Sequence, residues 1–324
     1  MNGVDLTVQL AGLELKNPVM VASGTFGFGR EYARACPLRE LGAVVTKGLT
    51  EQPKAGNPGP RIAETPAGML NAIGLQNPGI DAFLADELPF LRAEGATVIA
   101  NIAGHTLDEF GRLAERLNRS GVAALEVNVS CPNVDRGGMA FGADPAAAAA
   151  VTRVVRQASE LPVFVKLTPN VTDIAAVARA CLAAGAHGLT LINTLLGMVI
   201  DTTAQRPVLT RGVGGLSGPA ILPVAVRCVW EVHRATGGAV QLIGCGGISD
   251  ADSALQHLLA GATAVQVGSA TFVDPLTALR VRDGIADYLR RRGVARLADL
   301  VGRAQTAGGA NAAQQGSASH DDDR

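Results

Sequence analysis

The sequence predicts an α/β protein of the (β/α)8 barrel class. Three observations carry this: eight short β-branched runs, Ala/Leu-rich amphipathic stretches between them, and a polar Gly/Asn/Ser/Pro loop where each run ends. The runs fall at 18–22, 43–46, 97–102, 124–129, 163–167, 188–192, 240–243 and 264–267. Helical spacing is read over 80–94, 107–120, 145–160, 174–184, 219–235, 251–260 and 276–292. Strands alternating with helices pair in parallel through right-handed crossovers. Eight such units with no division into halves fit a closed barrel better than an open doubly wound sheet. The chain of 324 residues, 48% of them hydrophobic, is long enough to fill such a barrel's core without disulfide staples.

Several segments lie outside the repeat. Residues 6–10 and 13–15 flank Ala11-Gly12 and predict a hairpin capping the barrel bottom. Residues 50–79 and 197–215 are long Gly-rich excursions after the second and sixth strands, the kind of insertion that builds a site's mouth. The barrel domain is expected over 1–303. The tail 304–324 contains no Leu, Ile, Val or Phe and is expected to be disordered. A net charge of −1 offers no basic field for nucleic acid, and 3% aromatics offer no stacking platform for single strands. Five cysteines without a C-x-x-C pair argue against a disulfide framework or a structural zinc. No signal peptide and no bilayer-length apolar run is read, so a cytoplasmic location without membrane association is expected.

In a barrel the chemistry sits at the C-terminal ends of the strands. Ser23-Gly24, Lys47-Gly48, Asn101, Asn128, Cys131, Lys166, Asn193-Thr194, Gly246-Gly247 and Gly268-Ser269 all fall there. Turn chemistry alone explains any one of them; their recurrence on nearly every strand predicts a composite site. Glycines after strands seven and eight let backbone N–H groups approach a phosphate. Lys47 and Lys166 end separate strands. Each alone reads as a rim lysine; together they favour an anionic ligand, with a Schiff base as the rival chemistry. Cys131 lies in a polar strand-end loop followed by Gly137-Gly138, so its thiol could serve as base or nucleophile. Cys36, Cys181, Cys228 and Cys245 read as inert buried thiols. His105, His187, His233 and His257 lack metal-ligand spacing and read as structural.

These motifs together resemble a known family. Ala22-Ser23-Gly24-Thr25-Phe26-Gly27-Phe28-Gly29, Asn71-Ala72-Ile73-Gly74-Leu75-Gln76-Asn77-Pro78-Gly79, Asn128-Val129-Ser130-Cys131-Pro132-Asn133, Val165-Lys166-Leu167-Thr168-Pro169-Asn170, Ile192-Asn193-Thr194 and Gly215-Leu216-Ser217-Gly218-Pro219 are, in order, similar to class 1 dihydroorotate dehydrogenases. That resemblance implies an FMN-containing (β/α)8 oxidoreductase that converts dihydroorotate to orotate in pyrimidine (UMP) biosynthesis. By motif, Ser23, Lys47, Gly48, Asn101, Asn128, Lys166, Ile192, Gly218, Gly246, Gly247, Gly268 and Ser269 would bind FMN. Lys47, Asn71, Ala72, Ile73, Gly74, Leu75, Asn128, Asn193 and Thr194 would hold the substrate. Cys131 would be the catalytic base, where class 2 enzymes use serine, and Lys166 would stabilise the anionic reduced flavin.

Phe26-Gly27-Phe28-Gly29-Arg30-Glu31 and Leu195-Leu196-Gly197-Met198 look most like the NAD-linked subclass B. The resemblance then implies an electron-transfer partner subunit holding FAD and a [2Fe–2S] cluster, and a homodimer core within a heterotetramer. This chain has no cysteine cluster to carry such a centre itself. The alternatives are a fumarate-linked subclass A enzyme, a Schiff-base lyase using Lys166 or Lys47, and a non-catalytic scaffold.

Overall fold

The computed structural model describes residues 3–130 and 141–305. Eight strands form a closed parallel barrel: β1 (Val19–Val21), β2 (Ala43–Val45), β3 (Val98–Ile102), β4 (Ala124–Asn128), β5 (Val163–Leu167), β6 (Gly188–Leu191), β7 (Gln241–Cys245) and β8 (Ala264–Val267). They pair in sequence order, and β8 closes on β1 through Val265↔Val19 and Val267↔Val21. Every expected run supplies one strand. β7 continues to Cys245, two residues past its predicted end, which brings the thiol and the glycines after it to the rim.

The strands are buried on both faces, as β-branched runs covered by helices require. The principal helices are α1 (Leu88–Ala93), α2 (Leu107–Leu117), α3 (Pro145–Ala158), α4 (Ile174–Ala183), α5 (Leu222–Ala235), α6 (Ala251–Ala260) and α7 (Thr277–Arg292). In α2 the buried Phe110, Leu113, Ala114 and Leu117 recur at helical spacing, and the Thr106 hydroxyl caps the first turn by accepting from Glu109 N at 3.2 Å. The helix expected over 80–94 is one continuous helical run from Gly79 to Ala93, with a π-turn at Phe83–Glu87 inside it and α1 as its last segment. Pro89, near the start of α1, lacks the N–H that would continue the helical ladder through it. A short 3-10 turn, Leu38–Glu40, stands between β1 and β2 in place of a helix.

The hairpin Val8–Leu10/Leu13–Leu15 turns on Ala11 and Gly12, both with positive φ. It buries Leu10 and Leu15, and Ala11 N donates to the Gln241 side chain at the start of β7, so it closes the N-terminal end of the barrel. The two excursions meet at the opposite end. Ile62–Thr65 and Gly68–Asn71 from the first pair with Gly214–Ser217 and Leu195–Gly197 from the second in one antiparallel four-stranded sheet. That roof was not foreseen, because its strands are three or four residues long and its central pairing joins Asn71 to Gly215.

The barrel boundary also shifts. Gln305 packs back onto the barrel, its side-chain amide donating to Trp230 O at 3.1 Å and Ala260 O at 3.0 Å. Ala304 and Gln305 therefore belong to the folded body, contrary to the expected break after residue 303. The remaining expectation of disorder, for 306–324, lies outside the described residues. Among the described residues no helix is long and apolar enough to cross a membrane, and no group of His, Cys, Asp or Glu is placed to hold a metal.

Candidate active site

A cleft of about 550 Å3 opens between the C-terminal rim of the barrel and the roof sheet. Each strand end contributes to its wall. Ser23 follows β1, Lys47 and Gly48 follow β2, and Asn101 sits within β3. Asn128 ends β4, Lys166 lies on β5, and Ile192, Asn193 and Thr194 follow β6. Gly246 and Gly247 follow β7; Gly268 and Ser269 follow β8. The excursions add Asn71, Ala72, Ile73, Gly74 and Leu75 from one side and Gly218 from the other. All the residues expected to hold cofactor or substrate thus line one cavity. Cys131, with Gly137-Gly138, lies outside the described residues; its neighbour Ser130 lines the cleft.

The rim is organised by side-chain amides. Asn193 Nδ2 donates to Asn128 Oδ1 at 3.2 Å, and Ser130 N donates to the same oxygen at 3.1 Å. Asn193 Oδ1 accepts from Thr194 N at 2.8 Å, and Asn71 Nδ2 reaches Gly215 O in the roof at 3.3 Å. These contacts fix the amides that face the cavity from β4, β6 and the roof. Lys47 is held at the wall by its backbone N–H, which donates to Gly27 O at 2.9 Å. Burial, and then the nearby charge of Arg61, pull its ammonium below the ordinary lysine range.

Beneath the cleft lies a polar network that the sequence reading missed. Glu126 on β4, fully buried, accepts from Asn101 Nδ2 at 2.7 Å through Oε1. Its Oε2 accepts from Thr190 Oγ1 at 2.9 Å and Gln266 Nε2 at 2.6 Å. Lys166 Nζ donates to Gln266 Oε1 at 3.2 Å and lies 3.6 Å from Glu126 Oε1. β4 and β8 are not neighbours in the barrel order, so the Glu126–Gln266 bond crosses the lumen. Burial, the largest single influence on Lys166, disfavours its charge; the charge and hydrogen bonding of Glu126, together with Cys245, outweigh it, and the ammonium stands above the ordinary lysine value. The available signal was a lone carboxylate in the otherwise apolar run Ala124-Leu125-Glu126-Val127, since a charge there must be paired inside the barrel.

The residues present fit a phosphorylated planar cofactor. Gly247 has φ +75°, and a Cβ there would stand 2.5 Å from Leu222 Cα at the start of α5; at Gly246 it would meet Ala225 Cβ at 2.9 Å. Among the described residues, none accepts a hydrogen bond from the N–H of Gly247, Gly268 or Ser269, which leaves a cradle of amide donors for an anion. Behind it, His257 Nε2 lies 3.0 Å from Gly246 O; a carbonyl only accepts, so Nε2 carries the proton. Burial lowers the His257 pKa to about 4, so the ring adds no charge and supports the cradle from behind. At the other end of the cleft the Asn101 Oδ1 and Ser130 Oγ atoms are buried without a partner among the described residues. Cys36, Cys181 and Cys228 are buried in the core as expected; Cys245 is buried too, yet forms part of the cleft floor. Burial raises its thiol, which keeps it uncharged beside Lys166.

A closed parallel barrel with an amide-lined, lysine-floored cleft at its C-terminal rim is the architecture of a barrel enzyme. The family model described as dihydroorotate dehydrogenase matches residues 5–289. The chain belongs to that family. A protein of Geotalea daltonii named dihydroorotate dehydrogenase B (NAD(+)), catalytic subunit, is 56% identical over 299 residues, covering 92% of this chain and 97% of its own. One of the same name from Geobacter sulfurreducens is 54% identical over 303 residues, covering 93% and 99%. A solved dihydroorotate dehydrogenase of Eimeria tenella, in complex with ferulenol, is similar in fold, with TM-score 0.75, 23% identity, and coverage of 92% of this chain and 88% of that one.

Proposed function

We propose that this chain is the catalytic subunit of an NAD-linked dihydroorotate dehydrogenase, oxidising dihydroorotate to orotate and passing the electrons to NAD through a partner subunit. The observation that carries the reading is the convergence, in one cleft, of every described residue that the family's motifs assign to cofactor or substrate. The relatives named above are NAD-linked catalytic subunits, which favours NAD over fumarate as final acceptor. FMN is the cofactor this reading requires, with its phosphate on the Gly246-Gly247 and Gly268-Ser269 amides. When bound, it supplies the hydride acceptor. FAD and a [2Fe–2S] cluster belong to the partner in this reading, and two copies of the chain form the core of a heterotetramer.

The chain's own groups have definite tasks. Asn71, Asn128 and Asn193 present amides that suit the ring edge and carboxylate of dihydroorotate, and they hold it against the cofactor face. Lys47 supplies a cation at the same wall. The Cys131 thiolate takes a proton from the ring carbon beside a carbonyl while hydride leaves the adjacent carbon. Lys166 is a poor Schiff-base nucleophile, because the Glu126 carboxylate keeps its amine protonated.

Purified protein should carry flavin absorbance that dihydroorotate bleaches anaerobically. Cys131→Ala should keep the flavin and lose turnover by about two orders of magnitude or more. Rapid reoxidation by fumarate in the isolated chain would overturn the NAD assignment, and a protein that takes up no FMN would overturn the reading as a whole.

A further inference from the structure

The network under the cleft has a feature that the fold does not demand. Barrel interiors are filled by branched apolar side chains. Here a fully buried carboxylate takes part in four polar contacts drawn from four other strands: Asn101 on β3, Lys166 on β5, Thr190 on β6 and Gln266 on β8. Glu126 itself does not line the cleft, whereas Asn101 and Lys166 do. The carboxylate therefore acts on the cavity only through them.

Its action on each is different. Toward Lys166 it is the counter-charge. The lysine is 5% exposed, and an ammonium so enclosed loses its proton unless an anion faces it. The groups facing Lys166 are Glu126 from β4, Gln266 from β8 and the uncharged thiol of Cys245 from β7, with Lys47 on the far wall of the same cleft. Among the described residues Glu126 is the one acidic group there. Toward Asn101 it fixes the amide. A carboxylate accepts and cannot donate, so Nδ2 must point down to Oε1, and Oδ1 is left as a buried acceptor with no protein partner among the described residues. Gly48 packs closely against that oxygen, since a Cβ there would stand 3.0 Å from it.

We propose that Glu126 is a positioning residue for the cofactor: it holds Lys166 as a charged ammonium at the floor of the cleft and fixes the orientation of the Asn101 amide beside it. This rests on the FMN reading above and assigns a role to a residue outside the cavity wall. The ammonium compensates negative charge gained by the ring, and the carboxylate below maintains that ammonium at neutral and alkaline pH.

The test is Glu126→Gln, which keeps size and removes charge, studied as FMN-loaded protein with inorganic sulfite. Sulfite donates a sulfur lone pair to a ring nitrogen of oxidised flavin, and the negative charge moves into the ring, where a neighbouring cation stabilises it. At about pH 8 the variant should retain FMN yet bind sulfite at least about tenfold more weakly than the parent, the loss that follows when the lysine pKa drops about one unit below the working pH. The midpoint potential should fall in parallel. Lowering the pH to about 6 should return both toward the parent values as Lys166 regains its proton, a recovery that general misfolding would not give. Unchanged or tighter sulfite binding by a flavin-loaded variant would overturn the proposal, the tighter result meaning that Glu126 merely offsets a permanent charge. If Glu126→Gln does not fold, Glu126→Asp, which keeps the charge but withdraws it from Lys166, should weaken sulfite binding in the same direction, and unchanged binding in that flavin-loaded variant overturns the proposal. A parent protein that takes up no FMN would overturn the FMN reading and this inference together; unchanged sulfite binding with FMN in place overturns the inference alone.

Discussion

Lys166 and Glu126 bring together two charges that the barrel could not bury singly. Removing one partner of such a pair leaves an uncompensated ion in the interior, at a cost of about 3–5 kcal/mol; removing both into apolar side chains of similar size costs far less. Lys166→Met should therefore lower the stability of the cofactor-free protein by about 3 kcal/mol. The double variant Lys166→Met/Glu126→Leu should recover most of that loss, as read by urea unfolding. Equal losses in single and double variants would mean that the pair is not coupled. Lys166 was legible in the sequence because a lysine ending a β-branched strand needs an explanation. Glu126 was not, because its partners come from strands far apart in the chain, and only the closed order of the barrel brings them across the lumen.

Among the elements, the loop after β7 is the most constrained. Gly246 and Gly247 both have positive φ and lie against α5, so the close approach of loop to helix sets the shape of the amide cradle. Gly247→Ala should weaken FMN binding by about tenfold or more, measured by quenching of flavin fluorescence, since left-handed backbone and a 2.5 Å contact both oppose the new methyl. The cradle is continued by a capping box on α6: Asp250 Oδ1 accepts from Ser253 N at 2.8 Å, and the Ser253 hydroxyl bonds back to Asp250 N. Asp250→Ala should cost about 1 kcal/mol of stability in thermal unfolding. Strands and most helices were legible from periodicity, because period and length are local properties. The roof sheet was not, because strands of three or four residues show no alternation and their partners lie in another loop. The π-turn inside the 80–94 helix left no mark for a similar reason: the apolar spacing runs on through it while the hydrogen-bond ladder only widens, Leu88 N donating to Phe83 O.

For the molecule as a whole, acid should be the sensitive direction. His257 is fully buried, its Nε2–H is committed to Gly246 O, and its Nδ1 has no partner among the described residues. Its pKa falls from 6.5 to about 4 on folding, with burial the leading cause. Between those values the unfolded chain binds the extra proton and the folded chain does not, so stability is fully present above pH 6.5 and declines as the pH falls toward 4. The loss approaches about 3 kcal/mol. Urea midpoints at pH 7 and about pH 4.5 should show the decline, and His257→Gln should flatten it; an unchanged slope in the variant would assign the acid sensitivity elsewhere.

The pairing of Asn71 with Gly215 and of Leu70 with Leu216 also bears on how the protein is made. A ribosome delivers the first partner long before the second, and four of the eight barrel strands are synthesised in between. The ceiling of the pocket therefore waits for the second excursion, and a nascent chain ending ahead of Gly214 should leave the strand Gly68–Asn71 without its partner on that side.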